Sequence, residues 1–76
     1  MKTYGAIYAD VLKEINSSRA YHKSFNSSHE GYAVLLEELD EVWGEIKKSK
    51  HYTLSNEAKQ ELIQVAAVAM RMINEL

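Results

Sequence analysis

The chain has 76 residues, nine Lys+Arg against eleven Asp+Glu for a net charge of −2, and neither cysteine nor proline. Without cysteine, disulfide-stapled scaffolds, thiol nucleophiles and cysteine-ligated zinc modules are excluded, and a pI near 5.9 argues against a dedicated binder of nucleic-acid polymers. A chain of this length buries only about 60% of the surface it exposes when unfolded, so the expectation is one domain over residues 1–76, helped by association.

No apolar run approaches the roughly 20 residues that span a bilayer, and the first residues lack the apolar core of a secretory signal. No membrane partner and a cytoplasmic address are therefore expected. In the first segment Tyr4, Ile7, Tyr8, Val11, Leu12 and Ile15 recur at helical spacing, predicting a helix over about 3–20. It should fade through Asn16-Ser17-Ser18, whose side chains compete for backbone hydrogen bonds. A polar link follows from Lys23.

The second helix, about 28–49, opens on Ser27 with Glu30 three residues on, the pattern of a capping box. Tyr32, Leu35, Leu36, Leu39, Val42, Trp43 and Ile46 share one side of it, and Trp43 and Tyr32 read as core or interface. Lys47, Lys48 and Lys50 suit the negative end of the helix dipole. Gly44 falls on the polar side, where a neighbouring backbone or a ligand could come close. Ser55 is the N-cap expected for a third helix, about 55–75, with Leu54 as its hydrophobic staple. That helix carries a main stripe (Ala58, Leu62, Val65, Ala69, Met72, Ile73, Leu76) and a second patch (Ile63, Ala67, Met70). Two apolar sides imply burial from two directions, hence a second chain: an all-α, antiparallel three-helix bundle completed by homo-oligomerisation, as a dimer or tetramer.

Charge is unevenly spread. Residues 1–23 hold four bases and two acids, residues 47–76 five bases and three acids, and residues 24–46 six acids and no base. Within that acidic centre Glu37, Glu38 and Glu41 stand at spacings that bring them to one patch of helix, which Glu30 and Glu45 extend. A solvated acidic face accounts for such a pattern too, but solvated faces usually mix signs. Gathered inward, the carboxylates would repel one another unless a hard divalent cation, Mg²⁺ or Mn²⁺, lay between them. His22, His29 and His51 are too scattered for a metal or catalytic set. Asp10 and Glu14 read as surface acids, and Lys47, Lys50, Lys59 and Arg71 as solvated bases.

The run from His29 to Trp43, with Glu37-Glu38-x-x-Glu41, resembles the first metal-binding helix of the MazG-like all-α nucleotide pyrophosphohydrolases, in particular short phage-associated members. That family's second motif, ExxD, falls on Glu61-Leu62-Ile63-Gln64 after 19 residues, with Gln64 where the family has Asp. The resemblance covers about residues 28–75. It implies a Mg²⁺-dependent cleavage of a nucleoside triphosphate into monophosphate and pyrophosphate. It also implies that Glu37, Glu38, Glu41 and Glu61 are catalytic metal ligands, with Gln64 a ligand through its carbonyl oxygen. Gln64 brings no charge and cannot act as a base, and family members continue into a fourth helix that a partner chain would have to replace. The rival expectations are a non-catalytic oligomeric helical protein that keeps the fold with a degraded metal site, and a small helical partner of a larger protein.

Overall fold

The computed structural model describes residues 1–21 and 23–76; His22 lies outside the described residues. There are three helices, α1 (Tyr4–Tyr21), α2 (Ser28–Lys48) and α3 (Asn56–Glu75), and no strand among the described residues. None of the helices is long and apolar enough to cross a membrane.

Each helix begins on a side-chain oxygen that accepts an otherwise unpaired backbone N–H. Thr3 Oγ1 accepts from Ala6 at 3.1 Å, Ser27 Oγ from Glu30 at 3.1 Å, and Ser55 Oγ from Ala58 at 3.1 Å. The capping box at α2 is displaced by one residue. Glu30 Oε1 accepts from the N–H of Asn26, not of Ser27, and Oε2 from the Asn26 amide.

The helix α3 lies between the other two, and α1 and α2 do not meet along their backbones. Val11 and Ile15 of α1 are buried against Ala67, with Ile7, Ile63, Ala66 and Met70 packed around them. That contact covers the second apolar patch of α3 from within the chain, so this patch does not call for a second molecule. It also explains why α1 runs unbroken through Asn16-Ser17-Ser18. Burying Val11 and Ile15 is worth roughly 1.5–3 kcal/mol each, which outweighs the few tenths lost to propensity. Ser18 and Arg19 then hydrogen-bond Arg71 and Asn74.

On its other side α3 receives α2 in antiparallel sense. Gly31 lies where α2 crosses Met72: a Cβ there would stand 3.0 Å from Met72 Cγ and 3.3 Å from Leu76 Cδ1. Gly44, the glycine expected to permit close approach, has nothing within 4 Å of that position.

Arg71 is buried, not solvated. Its Nε donates to Glu75 Oε2 at 2.8 Å, Nη1 to Ser18 Oγ at 2.9 Å, and Nη2 to the carbonyl of Lys23. Its guanidinium also lies 4.4 Å from the Phe25 ring centroid, and Phe25 N–H donates to Glu75 Oε1. The Arg71–Glu75 pair thereby ties the end of α1 and the link into α2 onto the last turns of α3. The hydrogen bond from Arg71, then that from the Phe25 backbone, lower the Glu75 pKa.

The apolar stripe of α2 is only partly used. Val42 is buried, whereas Tyr32, Leu36, Leu39, Trp43 and Ile46 are 40–60% exposed. Tyr32 and Trp43 are thus surface residues of this chain.

Candidate metal centre

The acids of α2 fan out around the helix. Successive residues turn by 100°, so with Gly31 and Val42 directed at α3, Glu38 points closest to the core, Glu45, Glu41 and Glu37 progressively outward, and Asp40 farthest. From α3, Glu61 comes up against this edge. The carboxylates of Glu38, Glu41 and Glu61 each offer an oxygen, and the three oxygens lie within 4.8 Å of one another. Glu37 is exposed and outside this group. Gln64, one turn after Glu61, lines the same cleft as Glu38.

Two of these carboxylates have an oxygen with nowhere to go. Glu38 Oε2 and Glu61 Oε2 are buried and accept no hydrogen bond among the described residues. Buried acceptors are seldom left unpaired, and no Lys or Arg forms an ion pair with Glu38, Glu41 or Glu61 among the described residues. The electrostatic consequence is strong. Burial, then the charges of Glu41 and Glu61, push the Glu38 pKa from its ordinary 4.5 up to about 7. Burial, then the neighbouring Glu41 carboxylate, raise that of Glu61. Hard oxygen donors, convergent and underused, have the chemistry that a Mg²⁺ or Mn²⁺ ion requires.

Of the cluster, Glu38 lines a cleft of about 590 Å³ between α1, the α1–α2 link, α2 and α3. Glu14, Ser17 and Ser18 line it from α1, Asn26 from the link, and Glu38 and Gln64 from the other helices. Glu14 contributes to the site in a way its sequence position conceals. Its charge adds to the rise in pKa of both Glu38 and Glu61. Only its place beside Val11 and Ile15 on α1, turned slightly off the apolar stripe, hinted at this. Two other acids of the acidic centre are engaged elsewhere: Glu30 holds Asn26, and Glu45 pairs with Lys48 at 3.1 Å. His29 and His51 are exposed and take no part.

No family model, curated protein or solved structure matches the chain.

Proposed function

We propose that this chain is a Mg²⁺-dependent nucleoside triphosphate pyrophosphohydrolase of the MazG-like kind, releasing monophosphate and pyrophosphate in the cytoplasm and working as a homo-oligomer, a dimer or tetramer. The observation that carries this reading is the convergence of Glu38, Glu41 and Glu61, with Glu38 lining the cleft and two buried oxygens lacking a partner among the described residues.

In this reading Glu38, Glu41 and Glu61 would hold the cation. The cation, when bound, supplies neutralisation of phosphate charge and acidifies a water for attack. Ser17, Ser18 and Asn26 offer hydroxyl and amide groups to the sugar and base of a nucleotide in the cleft. A carboxylate oxygen of the cluster that the cation leaves free would accept the proton of the attacking water. Exposed Glu37 serves at most the outer rim.

The test incubates the protein with canonical and modified nucleoside triphosphates in Mg²⁺ or Mn²⁺, reads pyrophosphate, and measures metal binding by calorimetry. Turnover lost in Glu38→Gln and Glu61→Gln supports the reading; absence of both turnover and metal binding removes it. A second reading, a helical assembly protein that keeps the fold with a reduced site, has its own observation. Gln64 adds no charge and Glu37 stands outside the cluster, leaving three convergent carboxylates. It is favoured if metal binds and no nucleotide is cleaved.

A further inference from the structure

One carboxylate of the cleft stands apart from the cation cluster. Glu14 lines the cleft from α1, half-buried, and is not among the three converging acids. It forms no ion pair and accepts no side-chain hydrogen bond among the described residues. An ionised carboxylate can only accept, so a ligand group that meets Glu14 must donate.

Contacts between the helices fix its level in the bundle. Ser18 meets Arg71 and Arg19 meets Asn74, so α1 runs alongside α3 in the same sense. Gly31 of α2 lies against Met72, and α2 runs the other way. At 1.5 Å per residue, Glu61 lies about 15 Å below the Ser18–Arg71 level. Glu38 and Glu41, following Gly31 down α2, lie toward the same lower end. Glu14 precedes Ser18 by one turn, about 6 Å, and therefore stands between the triad and the upper cleft, which Ser17, Ser18 and Asn26 line. The order along the cleft is cation cluster, lone carboxylate, then hydroxyls and amide.

We propose that Glu14 reads the sugar and that the substrate is a ribonucleoside triphosphate, its 2′- and 3′-hydroxyls donating to this carboxylate. The proposal rests on the nucleotide reading of the cleft. A nucleotide is joined in the order phosphate, sugar, base, so phosphates at the cluster bring the sugar to the level of Glu14 and the base to that of Ser17, Ser18 and Asn26. Charge opposes a phosphate tail running up the cleft, because Glu14 and Glu30 border it and Arg71 is already matched by Glu75. Two neighbouring hydroxyls of ribose suit the two oxygens of one carboxylate, the chemistry by which an acid marks ribose in dinucleotide sites. A 2′-deoxy sugar brings one donor fewer and leaves a half-buried carboxylate oxygen facing a C–H group. Glu14 touches no reacting atom in this arrangement, so it acts on sugar binding.

The experiment is calorimetry in Mg²⁺ with AMP, GMP, CMP and UMP, each against its 2′-deoxy counterpart. The ribose form should bind at least roughly 10-fold tighter. Glu14→Gln should bring the ratio close to one with the helices retained by circular dichroism, and Glu14→Asp should keep part of it. Asp10→Asn, one turn earlier on α1 and paired with Lys2, should leave the ratio unchanged. Mn²⁺ affinity should fall far less in Glu14→Gln than in Glu38→Gln. With triphosphates that are turned over, the sugar preference should appear in KM and not in kcat. Equal binding of the two sugars, a ribose preference that survives Glu14→Gln, or loss of Mn²⁺ in Glu14→Gln as complete as in Glu38→Gln overturns the proposal and leaves the hydrolase reading standing. A ribose preference abolished by Glu14→Gln, with no triphosphate cleaved, upholds the proposal and removes the hydrolase reading. Absence of binding by all these nucleotides removes both.

Discussion

Neutralising one carboxylate of the cluster should strengthen the metal-free fold, the reverse of what removing a buried polar contact usually does. Two unit charges no more than 4.8 Å apart repel by at least about 3.5 kcal/mol at an effective dielectric near 20. In Glu38→Gln two such pairs vanish. Glu41 is exposed, so water and salt screen much of this repulsion, leaving a net gain of about 1–2 kcal/mol. In a domain of this size that raises the melting temperature by roughly 4–16 °C. The sign with pH follows from the Glu38 pKa, raised from 4.5 to about 7. The folded state holds this proton more tightly than the unfolded one, so its contribution is complete below about pH 4.5 and lost as pH rises through 7. The assay is thermal unfolding by circular dichroism at pH 8 and fixed protein concentration, in chelator and then with Mn²⁺. The parent should be the less stable protein in chelator and gain about 2.7 kcal/mol at a hundredfold excess over the dissociation constant, while Glu38→Gln should start higher and gain little. If Glu38→Gln melts lower than the parent in chelator, the carboxylates are not held in mutual repulsion and the case for a cation between them collapses.

Arg71→Met should cost about 3 kcal/mol, because the buried Glu75 would keep only the Phe25 N–H and the longer 3.8 Å pair with Arg19; the double variant with Glu75→Met should recover part of it in denaturant titrations. Glu75, whose pKa is lowered by Arg71 and the Phe25 N–H, contributes stability that is present above pH 4.5 and lost as acid titrates the folded carboxylate. Melting temperatures from pH 3 to 6 should therefore fall less steeply in Glu75→Gln than in the parent. Gly44→Ala should add up to about 1 kcal/mol of helix propensity, since nothing stands within 4 Å of the new methyl. Gly31→Ala should gain less or lose, because its methyl meets Met72 Cγ at 3.0 Å. Equal effects at the two glycines would contradict the α2–α3 packing.

Much of the local architecture was legible in the order of residues. The three periodic segments gave three helices, and Ser27 and Ser55 cap the two helices they precede, because periodicity and capping depend on neighbours three or four positions away. The gathering of acids on α2 was equally plain. Which of them converge was not. Glu37, Glu38 and Glu41 are equivalent by spacing, and only the rotation at which α2 docks on α3 turns Glu38 and Glu41 toward Glu61 and leaves Glu37 in solvent.

The same limit explains the other departures. Glu14 and Arg71 look like surface charges along the chain, and the bundle brings one to the cleft and buries the other. The two apolar sides of α3 were visible in sequence, but not that α1 covers one of them and that the uncovered apolar surface lies chiefly along α2. Sequence by itself determined what each helix offers on its surface, since 100° per residue is fixed by backbone geometry. Tertiary structure alone decided which offer is taken up, because helix docking is chosen by packing summed over residues some 50 positions apart, as in the Arg71–Ser18 contact.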